Sequence, residues 1–244
     1  MPLCQLNYFS AALNKATSAT IILPDPSVPR PYHAMLLLHG LSDDHTIWAR
    51  RTSIERYVEG LPLVVVMPDG GRSFYCDAVQ GPAYGKAIGE ELPNLIEGYL
   101  GVEPTWGIAG LSMGGYGAFR LALTYPQRFS AAVSHSGALT FGHYYGNDRA
   151  DDFGREFALV LGDTPQNGPN DLFHLASTVD PLPALRFDCG TEDFLLPANR
   201  AFHAHLVEHD LPHEYEEFPG DHNWAYWDEH VQEAIAFLRT NQGF

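Results

Sequence analysis

Lysine is almost absent from this sequence, and positive charge is scarce overall. Lys15 and Lys86 are the only lysines, and lysine and arginine together number 14 against 30 aspartate and glutamate residues, for a formal net charge of −16. A surface of that sign repels phosphate backbones and anionic lipid, so the composition argues against nucleic-acid binding and a polybasic membrane anchor. Long hydrophobic runs are also missing, since the longest, around Leu63 to Met67, is far too short to span a bilayer.

Cysteine is rare as well. Cys4, Cys76 and Cys189 are odd in number and widely spaced, which excludes a disulfide framework and a cysteine-rich zinc site. The opening residues MPLCQLNYF have neither the basic start nor the long apolar stretch of a secretory signal. These absences predict a protein of the cytoplasm without membrane attachment, and they leave open whether it forms a homo-oligomer.

The apolar runs of the chain predict the strands of one large domain. Hydrophobic residues make up 45% of 244 residues, and neither a repeat nor a linker marks a second domain. Cys4 to Phe9 and Thr17 to Leu23 are predicted to form an early hairpin. The later runs are mostly apolar throughout, which is typical of strands buried on both faces of a parallel sheet. They are Ala34 to Leu38, Leu63 to Met67, Trp106 to Ala109, Phe129 to Val133, Leu185 to Cys189 and the more polar Glu214 to Phe218.

Helix candidates alternate with these strands, which predicts a doubly wound α/β sheet with helices on both faces. They are Ile47 to Val58, Ala83 to Leu100 with a kink or restart at Pro93, Met113 to Tyr125, Pro197 to Glu208 and Trp224 to Arg239. The interval 141–183 fits this alternation less well, and we expect it to be a cap or lid insertion with short helices. Its aromatic residues include Phe141, Tyr144, Tyr145, Phe153, Phe157 and Phe173.

The segment Gly110-Leu111-Ser112-Met113-Gly114 is the sharpest chemical signal. It follows a predicted strand and precedes a predicted helix, which is the setting of a nucleophile elbow, where a tight turn presents a serine hydroxyl. Side chains in place of the two glycines would collide with neighbouring strands. A G-x-S-x-G match alone is weak, but this placement predicts Ser112 as a nucleophile.

A serine nucleophile needs a histidine to take its proton. His222 lies in a loop after the last predicted strand and just before the last helix. His135 is a rival, but it follows Ser112 too closely to leave room for an acidic residue between them in the order serine, acid, histidine. A metal site formed by His203, His205, His209 and His213 is disfavoured, because only His205 and His209 share a helix face.

An acidic residue must orient the imidazole, and Asp193 is our candidate. It follows a predicted strand and lies between Ser112 and His222 in the chain, whereas Asp188 would still be inside that strand and Glu192 is an adjacent competitor. The order Ser112, Asp193, His222 is that of the α/β-hydrolase fold. The backbone N–H groups of Met113 and Leu41 are expected to stabilise the negative oxygen that forms on attack.

These motifs resemble a known family. LLLHGLSDDHTIW, VVVMPDGGRSFYCD, GLSMGGYGAFRLAL, CGTEDF and PGDHNWAYWDEHV are similar to segments of the putative esterase branch of the α/β-hydrolases, which includes esterase D. The resemblance extends to bacterial tributyrin esterases and feruloyl-esterase-like relatives and covers nearly the whole chain. It implies a serine carboxylesterase for short acyl esters, with no cofactor or metal, using Ser112, Asp193 and His222 as the triad and Leu41 and Met113 as the oxyanion hole.

Three points stay open at this level. Tyr75, Tyr84 and Trp224 are candidate walls of the substrate pocket, although each could equally fill the core. S-formylglutathione hydrolase belongs to the same branch, but Gly114-Gly115-Tyr116-Gly117 lacks the histidine that follows its paired glycines. The third alternative is a catalytically silent α/β-hydrolase that serves as a binding protein.

Overall fold

The computed structural model describes residues 1–144 and 152–244, and an eight-stranded sheet runs through the middle of the molecule. Its spatial order is β1-β2-β4-β3-β5-β6-β7-β8. β2 is antiparallel to both β1 and β4, while the six strands β4, β3, β5, β6, β7 and β8 are parallel to one another. The strands are β1 (Leu3–Ser10), β2 (Lys15–Ile22), β3 (His33–Leu38), β4 (Leu63–Pro68), β5 (Trp106–Leu111), β6 (Phe129–His135), β7 (Ala184–Gly190) and β8 (Glu214–Phe218).

Helices cover both faces of this sheet. The helices α1, α2 and α10 pack on one face, and α4, α5, α8 and α9 pack on the other, each contributing to its own buried apolar cluster. The described helices are α1 (Ile47–Arg51), α2 (Ile54–Tyr57), α3 (Tyr84–Lys86), α4 (Leu92–Leu100), α5 (Met113–Thr124), α6 (Phe141–Tyr144), α7 (Asp152–Leu161), α8 (Leu172–Thr178), α9 (Leu196–Glu208) and α10 (Trp224–Gln242).

The predicted doubly wound α/β class is therefore confirmed, and so are the early hairpin and the six later strands. The reason is visible in β4 and β5, every residue of which is buried. A strand that is apolar on both faces is stable only between two helical layers. No helix within the described residues combines the length and apolar character that crossing a membrane requires.

Two predicted helices are interrupted. Thr52 ends α1 in an extended conformation: its hydroxyl donates to the Trp48 carbonyl at 2.6 Å and accepts from the Ile54 N–H at 3.2 Å. This local bonding competes with the helical ladder, so Ile47 to Val58 forms two short helices. A π-helical turn, Ala87–Glu91, lies between α3 and α4 just before Pro93, where a kink or restart was expected. Proline lacks the N–H of a regular helix, and a π turn accommodates that irregularity.

The segment 141–183 contains α6, α7 and α8, and two buried side chains of α5 hold part of it in place. Tyr116 donates its hydroxyl to the Asn170 carbonyl at 2.6 Å, and Arg120 donates to the Asn170 side chain at 3.0 Å. Phe141 stacks on Phe74 with ring centroids 3.5 Å apart. Tyr145, one of the aromatic residues noted in this segment, lies outside the described residues.

Candidate active site

Ser112 occupies a sharp turn between β5 and α5. Its backbone has φ 54° and ψ −117°, a conformation that is strained for any residue other than glycine. A Cβ added at Gly110 would overlap the Gly114 carbonyl, and one at Gly114 would lie 2.5 Å from the Leu38 carbonyl oxygen. The two glycines are therefore needed for close approach of the elbow to its surroundings, as their sequence positions predicted.

The imidazole of His222 meets the Ser112 side chain directly. His222 lies between β8 and α10, and its Nε2 is 3.1 Å from the Ser112 hydroxyl oxygen. Rings on two sides fix its plane: Phe194 at a centroid distance of 4.6 Å and Trp227, edge-on, at 4.9 Å. These contacts hold the imidazole within hydrogen-bond distance of the Ser112 hydroxyl.

Asp193 completes a continuous chain of contacts. Its Oδ2 lies 2.8 Å from His222 Nδ1, and its Oδ1 accepts the Leu195 N–H at 2.8 Å. Burial raises the pKa of this carboxyl, but hydrogen bonds from His222, the Leu195 N–H and Ser136 outweigh burial, so the pKa is lowered overall. The carboxylate is therefore charged at neutral pH and faces the side of the imidazole away from Ser112.

The competing acids and the rival histidine have other contacts. Glu192 points elsewhere, because its Oε2 accepts the Gly220 N–H at 2.7 Å. His135 and Asp188 form a separate, fully buried pair, with Nδ1 and Oδ2 2.7 Å apart. The register of the parallel strands β6 and β7 places these two residues side by side. This pair lies within the sheet and is not part of the hydrogen-bond chain that joins Ser112, His222 and Asp193.

The two expected oxyanion donors lie at the same site. Leu41 follows β3 and Met113 opens α5, and both line the cavity next to Ser112. A Cβ at Gly40 would be 3.8 Å from the Ser112 Cβ, so the loop after β3 runs past the serine. Among the described residues no backbone acceptor takes the N–H of Leu41 or Met113. The positive end of the α5 dipole adds to the attraction for an anion at Met113.

An apolar cavity of about 790 Å³ opens beside Ser112. No charged side chain is among its lining residues in the described part of the chain. Phe194 stands at its edge with 71% of its surface exposed. The remaining aromatic lining residues are Phe74, Phe141, Tyr144, Phe153 and Phe157. A neutral substrate with apolar groups matches such a wall best.

The three expected pocket residues are not among the described lining residues of this cavity. Tyr75 is fully buried and donates its hydroxyl to the His39 carbonyl at 3.0 Å, beneath the loop after β3. Tyr84 lies beside Gly71, with Lys15 near its ring. Trp224 packs edge-on against two other tryptophans on the α10 side of the sheet. The hydrophobic pattern of a sequence can indicate that an aromatic residue is buried, but it does not show whether the ring lines the cavity or fills the core.

Phe194 and Ser136 are two contacts of the site that the sequence patterns did not single out. Phe194 directly follows Asp193, so the loop that carries the acid also carries an aromatic ring to the cavity edge. Ser136, fully buried with a positive φ of 47°, follows β6, accepts the Trp227 Nε1–H at 3.3 Å and helps to lower the pKa of the Asp193 carboxyl. A polar residue directly after a parallel strand is a weak signal that could have indicated Ser136.

The histidines of α9 and the loop after it contact each other in pairs. His203 Nδ1 lies 2.8 Å from His213 Nε2, and the rings of His205 and His209 are 4.2 Å apart. His205 Nε2 also lies 2.9 Å from the Phe173 carbonyl. Across residues 1–144 and 152–244, no three histidine, cysteine or acidic side chains are grouped as metal ligands.

Comparisons with known proteins agree with this geometry. A sequence model of the family described as "Putative esterase" matches residues 10–238. An acetyl esterase of Caldicellulosiruptor saccharolyticus is 27% identical, with 98% of each chain covered. The structure of FphF, a fluorophosphonate-binding serine hydrolase of Staphylococcus aureus, is similar with a TM-score of 0.86 and 30% identity, covering 97% of this chain and 98% of that one. An S-formylglutathione hydrolase (FrmB) of the same organism has a TM-score of 0.84 and 31% identity with the same coverage. The similarity to these hydrolases confirms the expected α/β-hydrolase fold.

Proposed function

The chain belongs to the putative esterase family and is a carboxylic ester hydrolase, and from this premise we propose that Ser112, His222 and Asp193 are its catalytic triad. The observation that carries the proposal is the continuous chain from the Ser112 hydroxyl through both imidazole nitrogens to the Asp193 carboxylate. Serine, base and orienting acid in hydrogen-bond contact are what nucleophilic acyl transfer requires.

In the first step, Ser112 Oγ attacks the ester carbonyl carbon while His222 Nε2 takes its proton. Asp193 stabilises the resulting imidazolium through Nδ1 and keeps the ring in the tautomer that leaves Nε2 free to accept. The carbonyl oxygen becomes an oxyanion, and the N–H groups of Leu41 and Met113 stabilise it. His222 then gives its proton to the departing alcohol oxygen, which leaves an acyl group on Ser112.

In the second step, water replaces the alcohol. His222 Nε2 accepts a proton from the water, whose oxygen attacks the acyl carbon, and the same two N–H groups stabilise the second oxyanion. The proton then returns to Ser112 Oγ, and the carboxylic acid leaves. The products are one alcohol and one acid, and the enzyme is restored without a cofactor.

We propose neutral esters with short acyl chains as the preferred substrates. The lining of the cavity is apolar and free of charged side chains in the described residues, so a charged group would lose its hydration there without a partner. The similarity to an acetyl esterase supports a short acyl group. The volume of about 790 Å³ leaves room for an apolar alcohol as well.

An S-formylglutathione thioesterase is the second candidate, because the FrmB hydrolase is 31% identical over nearly the whole chain. Glutathione carries two carboxylates, and a site for it needs cationic partners. Arg72, whose guanidinium lies 5.5 Å from the ring centroid of the lining residue Phe153, is engaged by Glu156 through two bonds of 2.7 Å. This contact favours the carboxylesterase, and the relative kcat/KM for S-formylglutathione and p-nitrophenyl acetate separates the two functions.

We further propose that residues 141–183 form a cap on a single domain. Phe141 and Phe157 of this segment line the cavity beside Ser112, which supports a role in enclosing substrate. Cys4, Cys76 and Cys189 are unpaired, which is compatible with the cytoplasmic location that we propose.

Labelling with a fluorophosphonate probe tests the assignment of Ser112. We expect the wild type and Ser18→Ala, a control on β2, to be labelled, while Ser112→Ala takes up no probe and loses esterase activity. Thermal unfolding verifies that each variant is folded. Equal labelling of folded Ser112→Ala and wild type would refute the proposed nucleophile.

A further inference from the structure

His39 connects the proposed oxyanion loop to the loop after β4. It directly follows β3, and its side chain is buried, with 1% exposed. Gly40 and Leu41 come next, so the ring belongs to the residue just before the peptide whose N–H is the proposed oxyanion donor. The mechanism above does not use this side chain, although it is a buried titratable group close to the reacting atoms.

Two contacts determine which nitrogen of His39 carries the proton. The Gly70 N–H donates to Nε2 at 2.9 Å, so Nε2 must present a lone pair. Nδ1 lies 2.7 Å from the Gly40 carbonyl oxygen, which can only accept, so Nδ1 must carry hydrogen. Burial lowers the pKa of His39 against the opposing effects of Gly40 and the nearby Asp69. The ring is therefore neutral, with its proton on Nδ1.

The Gly40 carbonyl, which accepts the hydrogen bond from Nδ1, belongs to the same peptide group as the Leu41 N–H, the proposed oxyanion donor. The Gly40 carbonyl and the Leu41 N–H belong to a single planar unit and point in opposite directions when the peptide is trans. Fixing the carbonyl therefore fixes the direction of the N–H. Donation to the carbonyl also polarises the peptide, which strengthens its N–H as a donor. The Asp43 N–H adds a second, longer bond to the same oxygen at 3.2 Å.

Glycine at position 40 makes this restraint necessary. A Cβ there would lie 2.8 Å from Leu111 Cδ1 and 3.2 Å from Asp43 Oδ2, so the close approach to the elbow favours a residue without a side chain. Glycine is also the residue whose backbone rotates most freely. Without the bond from His39, the longer Asp43 N–H bond would be a weaker restraint, and the Gly40–Leu41 peptide could turn its N–H away from Ser112.

We propose that His39 is a positioning residue of the esterase reaction, whose Nδ1–H holds the Gly40–Leu41 peptide so that the Leu41 N–H faces the oxyanion. The proposal rests on the proposed function. The substrate carbonyl oxygen carries a full negative charge only after attack by Ser112. The proposal therefore predicts that His39 affects the chemical step and contributes little to binding of the substrate before the reaction.

His39→Asn and His39→Gln separate the two bonds of the ring. The asparagine amide can place its N–H where Nδ1 was, which keeps the bond to Gly40 and loses the one to Gly70. The glutamine amide reaches the position of Nε2, which keeps Gly70 and loses Gly40. Each variant gives up one hydrogen bond to a buried backbone group, so a purely structural role predicts similar losses of stability and of activity in both.

The positioning role predicts unequal kinetics with p-nitrophenyl acetate. We expect His39→Gln to lower kcat about 10- to 100-fold with KM within about threefold, because an oxyanion donor is worth about 10²- to 10³-fold. His39→Asn should lose at most about fivefold, since it retains the donor to Gly40. The inhibition constant of a boronic acid, whose adduct places an oxygen in the oxyanion hole, should rise in His39→Gln in parallel with the loss of kcat/KM.

Equal losses of kcat in the two variants, or unchanged boronate affinity in His39→Gln, would overturn the proposal. Nitrogen-15 NMR of the wild type tests it even if both variants misfold: we expect a neutral His39 with hydrogen on Nδ1, and an imidazolium or the other tautomer refutes it. Failure of the proposed function has a different signature. In that case the wild type hydrolyses no ester, or Ser112→Ala is as active as the wild type.

Discussion

Asp193→Asn offers a demanding test of the proposed triad, because the structure dictates how the new amide must be oriented. Oδ1 of Asp193 accepts the Leu195 N–H at 2.8 Å, and Oδ2 faces His222 Nδ1 at 2.8 Å. Asparagine must keep its oxygen on the Leu195 N–H, since an NH₂ group there would oppose another donor. Its NH₂ group then faces His222 and forces Nδ1 to become an acceptor. The ring proton moves to Nε2, which can no longer take the proton of Ser112.

The wrong tautomer and the lost charge together should lower kcat by about 10³- to 10⁴-fold, with fold and cavity retained. At about 1.36 kcal/mol for each factor of ten, this is about 4–5.5 kcal/mol of transition-state stabilisation. The assay is steady-state hydrolysis of p-nitrophenyl acetate, after thermal unfolding has established that the variant is folded. Glu192→Gln is the matched control: it neutralises the adjacent acid, which faces Gly220, and should change kcat less than about threefold. A folded Asp193→Asn enzyme with a kcat within tenfold of the wild type would refute this reasoning.

Three further substitutions test the elbow, the cavity edge and the second buried pair. Gly114→Ala drives a Cβ into the carbonyl oxygens at the end of β3 and should destabilise the protein by at least about 2 kcal/mol in urea unfolding. Gly98→Ala, in open space on α4, should instead stabilise it by up to about 1 kcal/mol, and equal effects would contradict the packing argument. Phe194→Ala should lower kcat/KM for aryl esters about 3- to 10-fold, whereas Phe9→Ala, which removes a similarly exposed ring on β1, should leave it unchanged. Equal kcat/KM values for the two variants would exclude a contact between Phe194 and the substrate. Asp188→Asn should cost about 1–3 kcal/mol of stability and leave kcat within about fivefold, and the opposite pattern would place Asp188 in the reaction.

The sheet could be predicted from the sequence because its signal is local. Continuous apolar runs such as Leu63–Pro68 need burial on both faces, and only a sheet between two helical layers provides it. The elbow at Ser112 could also be predicted, because its motif lies within one strand–turn–helix unit. The contacts that require its two glycines, however, include Leu38 of the neighbouring strand β3. The proximity of His222 and Asp193 could also be predicted, because both residues come after strands and the carboxyl ends of parallel strands meet at one edge of the sheet.

The remaining features depend on contacts between distant segments. Tyr75 is as aromatic as Phe74, but only the packed structure shows that it holds a backbone carbonyl while Phe74 lines the cavity. The pairing of His135 with Asp188 results from the register of β6 and β7, which no spacing in the sequence reveals. The break after α1 comes from the Thr52 hydroxyl, which donates to the Trp48 carbonyl of the same helix. No pattern in the sequence marks Thr52 as the end of a helix.

Trapping of the acyl-enzyme tests the central claim most directly. Wild-type protein is mixed with p-nitrophenyl butyrate, quenched in acid within milliseconds and digested for mass spectrometry. We expect a butyryl group on the peptide that contains Ser112, and on no other serine, at a level that falls as substrate is exhausted. Full turnover without modification of Ser112 at any quench time, or an acyl group that accumulates on a different residue, would contradict the account.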